Sequence, residues 1–312
     1  VLTDQELNQI IKQIERLYEI SDDVEITLEA NPDDLTQNKI NELAKTPINR
    51  FSIGVQSFFD EDLRLMNRAH NAQEADASIK RSQDAGFENI TIDLIYGSPT
   101  TSDAMWKANL DKAVDLQVPH ISSYALTIEP KTVLKHQIKV GKVQAVDDEK
   151  QQNQFKMLVE TLTQHGFEHY EISNFGKSGF HSKHNSAYWL GKPYVGVGPS
   201  AHSFDLKSRS WNIANNTNYI KEIFTGNLPQ ETEILSPADI LNELTMIGLR
   251  TVYGIDLEYL EKLIPGEILL DWRREVNPLL SEGKLIEKEN KIFLNPDFRF
   301  FADGIASQLF IV

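Results

Sequence analysis

The 312-residue chain contains no cysteine. Disulfides, thiolate-held zinc and cysteine-ligated iron–sulfur clusters are therefore excluded within it. No apolar run approaches the roughly 18 residues a membrane-spanning helix needs, and the first residues do not resemble a signal peptide. Cytoplasm is the expected location. Basic residues are the scarcer sign, 31 Lys and Arg against 46 Asp and Glu, for a formal net charge of -15. A phosphate backbone calls for clustered Lys and Arg, so nucleic acid is not the expected partner. Internal repeats and low-complexity segments are also lacking. What is present is ordinary globular composition, 40% hydrophobic and 25% charged, with length for more than one domain.

An initiator methionine is missing too; the chain starts at Val1. Thr3-Asp4-Gln5-Glu6 fits the capping-box pattern, and Leu7, Ile10, Ile11, Ile14 and Leu17 follow at helical spacing. The chain is thus expected to open inside a domain, at a helix start. Apolar alternation then predicts strands at 24–32, 50–58, 89–99 and 120–130. Helical stretches fall near 36–45, 73–85 and 102–116, the second ending at Gly86. Strands alternating with helices of this length predict an α/β fold with a parallel sheet, here a barrel.

Side chains alternate faces along a strand. Val24, Ile26 and Leu28 share one parity, as do Phe51, Ile53 and Val55, and Ile90, Ile92 and Leu94. These are expected to face the outer helices. The opposite parity carries Glu29, Gln56 and Asp93, all toward the C-terminal strand ends where βα-barrel sites assemble. One carboxylate inside Asn89–Pro99 is compatible with a structural ion pair, because burying it costs several kcal/mol unless it is met. Three successive strands with a polar group at similar height point instead to a ligand pocket.

Beyond residue 147 the pattern predicts a helix ending at Gly166, a strand at 169–175, a loop or short turn at 184–189 and a glycine-rich strand and turn at 194–204. Residues 206–235 read as a connection around one helical patch, so the expected domains are 1–205, that connection, and 236–312. The last part has three helical patterns, a hairpin turning at Glu289-Asn290 and a final helix, the order of a winged helix. It carries thirteen acidic and eight basic residues, which suits a cover or docking surface better than a DNA reader.

Several motifs carry a resemblance. Leu28–Thr36 (LEANPDDLT), Arg50–His70 (RFSIGVQSFFDEDLRLMNRAH), Gly86–Pro99 (GFENITIDLIYGSP) and Ser122–Pro130 (SSYALTIEP) resemble the coproporphyrinogen III oxidase-like branch of the radical S-adenosylmethionine (SAM) proteins. Tyr170–Phe175 (YEISNF), His184–Trp189 (HNSAYW) and Gly196–Phe204 (GVGPSAHSF) point further, to the HemW group, regarded as haem chaperones. The resemblance spans nearly the whole chain. It implies a partial (β/α)6 radical-SAM barrel and a C-terminal HemN-type domain. It further implies a CxxxCxxC-held [4Fe–4S] cluster and a glycine-rich SAM turn, both absent here. The expectation is a barrel without its first two strands and one helix, rather than a cysteine-free paralogue.

Residue roles also come with the resemblance. The position matching Glu29 contacts SAM in the family, and those matching Gln56, Arg68 and Asp93 serve a second SAM in oxidase relatives. The Arg68 fork suits a carboxylate, and either Arg68 or a cationic cofactor would offset Asp93. His202 aligns with a residue whose backbone meets the adenine, the nearby Gly196 and Gly198 allowing close approach. Thr127 is a weaker candidate beside the cofactor. Haem is the second expected ligand. His184 is the first axial candidate, with Asn185, Tyr188 and Trp189 around it and His181 and His169 as alternates. The implied function is haem delivery to respiratory haemoproteins, with dimerisation and peripheral membrane association left open. The alternatives are oxygen-independent conversion of coproporphyrinogen III to protoporphyrinogen IX in porphyrin biosynthesis, and a cysteine-free interaction protein on a barrel remnant. Without cluster ligands, neither cluster chemistry nor radical generation is expected of this polypeptide.

Overall fold

A computed structural model describes residues 2–311. The chain divides into two compact units, Val1–His181 and Ser182–Val312, whereas the sequence pattern suggested divisions at 205 and 235.

In the first unit, α1 (Asp4–Leu17) starts at the expected cap. The Thr3 hydroxyl accepts from Glu6 N, and the Glu6 carboxylate accepts from Thr3 N. There follow β1 (Thr27–Ala30), α2 (Gln37–Leu43), β2 (Arg50–Gln56), α3 (Asp60–Leu65), α4 (Ala72–Asp84), β3 (Ile90–Tyr96) and α5 (Asp103–Asp115). Next come β4 (His120–Ala125), α6 (Val133–Lys139), α7 (Asp148–Gln164), β5 (Glu168–Glu171) and β6 (Asn174–Gly176). The six-stranded sheet has the order β1-β2-β3-β4-β6-β5. Neighbours from β1 to β4 run parallel, while β6 joins β4 and β5 antiparallel. This is the expected α/β fold with a parallel core.

Phe51, Ile53, Val55, Ile90, Ile92 and Leu94 have no solvent exposure, nor do Ile40, Leu43, Ile79, Trp106 and Leu110 of the helices. Each such side chain contributes about 1.5–3 kcal/mol on burial, so the apolar parity fixes which face of the sheet is left for polar groups. Leu28 is only half-buried and β1 is shorter than its pattern suggests. Asn49 takes over the pairing of the preceding residues: its Oδ1 accepts from Ile26 N and its Nδ2 donates to Val24 O, both at 2.8 Å. The single strand expected at 169–175 is a hairpin, because the Glu171 carboxylate accepts from Ser173 N at 3.0 Å and turns the chain.

In the second unit the residues expected as a loop form α8 (Lys183–Trp189), N-capped by Ser182. The supposed connection also has more structure than its composition suggests. It follows β7 (His202–Phe204) and contains β8 (Ser208–Asn212), α9 (Asn216–Phe224) and β9 (Gln230–Ile234), the strands forming one antiparallel sheet. After these come α10 (Pro237–Arg250), β10 (Ile255–Asp256), α11 (Leu257–Leu263), α12 (Gly266–Ser281), β11 (Leu285–Lys288), β12 (Lys291–Leu294) and α13 (Ala302–Gln308). Glu289 and Asn290 both have positive φ, as a tight hairpin turn requires. Among the described residues no helix is long and apolar enough to cross a membrane.

Candidate functional site

The sheet face opposite the apolar core is polar in successive rows. Thr27 lies beside Arg50 and Thr91 beside His120; one step further along, Asp93 lies beside Ser122. Glu29 and Asp93 lie within regular strand pairing, whereas Gln56 comes after a register shift and stands opposite Leu94. Gln56 and Asp93 are half-buried and Glu29 is exposed.

The end of β2 is built by the segment after α3. The register to β3 shifts between Ile53 and Gln56, and Gln56 has φ 69°, in the left-handed region. Such a residue costs of order 1 kcal/mol unless its surroundings hold it. Two side chains do so. Arg68 Nη2 donates to Gly54 O at 3.0 Å and to Asn31 Oδ1 at 2.6 Å. His70 is buried, with Nε2 3.0 Å from Val55 O; a carbonyl only accepts, so the ring proton sits on Nε2. Its Nδ1 faces the Asp33 carboxylate at 3.7 Å. Position 54 must be glycine for this arrangement, since a Cβ there would lie 2.9 Å from Arg68 Nη2 and 3.0 Å from Gln56 Nε2. Arg68 and Gln56 are therefore brought together at the strand ends.

Asp93 is pushed up to about 6 by burial first and by the neighbouring Glu29 second. A hydrogen bond with Ser122 and the charges of Arg50 and Arg68 oppose the rise without cancelling it. The expected cationic offset is thus present in direction and smaller than desolvation. Tyr124, on the same face, is pushed up to about 12 by burial and then by Asp93. With 44% of its surface exposed, the charge repulsion is the firmer cause, and its phenol stays protonated near neutral pH. Ser122 Oγ donates to Asn174 Oδ1 at 3.0 Å, and Asn174 Nδ2 donates to the buried Glu171 at 2.6 Å.

Arg50 and His120, which the motifs did not single out, underlie this row. Arg50 donates to Thr91 Oγ1, the Thr91 hydroxyl lies 3.0 Å from His120 Nδ1, and His120 Nε2 lies 2.7 Å from the Tyr170 hydroxyl. Burial, then Arg50, lowers His120 to about 3, so the ring is neutral. A neutral ring has one donor and one acceptor, so His120 donates to one of the Thr91 and Tyr170 hydroxyls and accepts from the other. The signal was in the sequence: Arg50 and His120 occupy the inward parity of their own strands.

Thr127 lies past β4, exposed, with its hydroxyl 3.4 Å from Ala125 O. His202 belongs to the second unit and pairs across β7 and β8 with Trp211, ring centroids 6.1 Å apart. The close approach that Gly196 permits is to this chain's own backbone: a Cβ there would lie 2.1 Å from His202 O. His184 is exposed on α8 and meets Tyr188 edge-on at 4.8 Å; Tyr188 in turn meets Tyr194 at 4.6 Å. Arg250 lies over the Trp189 ring at 5.2 Å. Asn185 is half-buried, its backbone N–H bonded to the capping Ser182. The alternates are occupied by the fold, His169 stacking on Phe175 at 4.1 Å and His181 on Tyr170 at 4.0 Å, with Glu168 3.0 Å from His181 Nε2.

Residues 2–113 match the Radical SAM superfamily. The chain is similar to the haem chaperone HemW of Lactococcus lactis, 32% identical over 294 residues, covering 94% of this chain and 77% of that protein. It is 33% identical to HemW of Bacillus subtilis over 81% of this chain and 68% of that one, and 33% identical to HemW of Synechocystis over 97% and 78%. The chain belongs to the HemW-type radical SAM family. The coproporphyrinogen III oxidase HemN from Escherichia coli, described as a radical SAM enzyme, superposes with a TM-score of 0.82. That likeness covers 99% of this chain and 74% of the oxidase at 20% identity, and so concerns the fold alone.

The radical SAM family implies SAM and a [4Fe–4S] cluster. The cluster does not fit these residues: there is no cysteine, and among the described residues no group of three or more His, Asp or Glu is placed to hold a metal. No step through it follows for this polypeptide. SAM does fit the polar face of this HemW-type chain. Gly54 leaves room for the Arg68 and Gln56 side chains at the strand end, Arg68 offers a guanidinium group, and Glu29 and Asp93 offer carboxyl groups.

Proposed function

We propose that this chain is a HemW-like haem chaperone whose polar sheet face binds SAM. The observation that carries the reading is the joining of Gln56 and Arg68 at a strained strand end beside Asp93, in a chain about one third identical to HemW proteins. Arg68 uses Nη2 on Asn31 and Gly54, leaving Nη1 and Nε, on separate edges of the guanidinium, to donate singly to a ligand carboxylate. Glu29 accepts from ligand ammonium or hydroxyl groups, and Asp93 faces the ligand's positive centre. When bound, SAM supplies its sulfonium chemistry; the chain's own groups bind, orient and keep water from it. Thr127 and His202 are assigned secondary roles beside the cofactor. In this reading the sheet is part of an incomplete (β/α)6 barrel, and residues 236–312 form a winged-helix-like HemN-type domain.

Haem is assigned to α8, with His184 as axial ligand, Tyr188 and Trp189 against the porphyrin and Asn185 at its edge. The delivered haem would go to respiratory haemoproteins. Titrating haem into the chain should shift the Soret band, and His184→Ala should abolish most of the shift. An identical Soret shift in both proteins would remove His184 from the account; no shift in either would remove haem. A second reading, oxygen-independent oxidation of coproporphyrinogen III, is favoured by the fold likeness to HemN alone.

A further inference from the structure

Arg50 stands at the start of β2, between β1 and β3, and is only 3% exposed. Its two terminal nitrogens reach to both sides. Nη1 donates to Thr27 Oγ1 at 3.3 Å and Nη2 donates to Thr91 Oγ1. Each threonine stands two residues before a pocket carboxyl on its own strand, Thr27 before Glu29 and Thr91 before Asp93. Side chains two apart share a face and lie about 7 Å from one another, so the guanidinium is centred beneath the gap between the two carboxyls.

A guanidinium this deep costs several kcal/mol in desolvation unless opposite charge meets it. Glu25 meets it as a buried ion pair, 3.7 Å from Nε, although Nε itself makes no hydrogen bond. Even so paired, Arg50 acts on Asp93 on the face above. The groups that act on Asp93 there are Glu29 from β1, Arg68 from the segment after α3 and Ser122 from β4, with Tyr124 beside them on β4. Glu171 from β5 acts on Tyr124. Of the two cations, Arg68 is half-exposed and tied to the β2 end, whereas Arg50 is buried and bonded to both flanking strands.

We propose that Arg50 is a positioning residue of the pocket: it ties β1 and β3 together one step below Glu29 and Asp93, and sets the charge that Asp93 presents to a cationic group of the ligand. The part concerning the ligand rests on the SAM reading above; the part concerning Asp93 does not.

The test is carboxyl-carbon NMR titration of Asp93 in the 312-residue chain, its resonance assigned by its loss in Asp93→Asn, alongside calorimetric titration of SAM at several pH values. Arg50→Met should raise the Asp93 midpoint from about 6 by roughly one pH unit, and Arg50→Lys should restore most of it. Glu25→Gln removes the countercharge and should move the midpoint the other way. A folded Arg50→Met protein with an unmoved midpoint overturns the proposal, as does a rise in Glu25→Gln. If Arg50→Met does not fold, the downward shift in Glu25→Gln supports the proposal and its absence overturns it. SAM affinity at pH 7 should fall several-fold in Arg50→Met. Midpoints that move as stated in a chain that binds no SAM leave the positioning role standing and remove the SAM reading. SAM binding with unmoved midpoints does the reverse.

Discussion

Arg68 Nη2 donates to the carbonyl of Gly54 at 3.0 Å, fourteen residues back in the chain and on the far side of a turn and a helix. That bond, together with the one from Arg68 to Asn31, joins the ends of β1 and β2 and holds the bulge that turns Gln56 into the left-handed region. A side chain from a loop thus shapes the strand ends on which the candidate site stands.

Gly54→Ala should disturb the site before it disturbs the fold. The added methyl lies 2.9 Å from Arg68 Nη2, the far end of a flexible side chain that can withdraw. Stability measured by denaturant unfolding should fall by only about 1–2 kcal/mol. SAM binding measured by calorimetry should fall about tenfold or more. A variant with native affinity would show that the Arg68 position is immaterial.

Gly196→Ala should have the opposite balance. Its methyl would lie 2.1 Å from His202 O, and backbone on backbone has no flexible end to move. Stability of the second unit should drop by about 2 kcal/mol or more, read as earlier loss of Trp211 fluorescence on unfolding. Native stability would place the strain elsewhere.

Asp93 imposes a pH dependence whose sign is fixed. Its folded-state value, about 6, is above the ordinary 3.8, so the folded state holds its proton more firmly than the unfolded chain. The contribution to stability is complete below about pH 4 and is lost as pH rises through 6. The shift corresponds to roughly 3 kcal/mol. Asp93→Asn should therefore be more stable than the parent above pH 6 and should flatten the stability curve between pH 4 and 6. Parallel curves for the two proteins would contradict the assignment.

Thr3→Ala should cost about 1 kcal/mol or less, confined to α1, because it removes a surface capping box and nothing packed. Helix content by circular dichroism should fall slightly while the Asp93 titration stays where it is. A moved Asp93 midpoint would show that α1 and the pocket are coupled.

How far the sequence exposed these features depended on whether a buried face was there to record them. Phe51, Ile53, Val55, Ile90, Ile92 and Leu94 alternate cleanly because one side packs in the core, and that alternation carried the parity of Glu29 and Asp93. The β9 residues Gln230–Ile234 are exposed throughout, so no apolar alternation could mark them as a strand. Lys183–Trp189 buries no residue either, and its helix is announced only by the Ser182 cap. Arg50 and His120 were overlooked for a different reason. A charged or titratable residue at the start of a strand looks like a solvated end, and only the neighbouring strands reveal that Thr27, Thr91 and Tyr170 enclose it.

The most direct test of the shared pocket is calorimetric titration of SAM into the 312-residue chain and into its Arg68→Met and Asp93→Asn variants at pH 7. The account predicts saturable binding to the parent chain and an affinity at least tenfold weaker in each variant. Equal heats and equal affinities in all three proteins, or no heat in any, would contradict it.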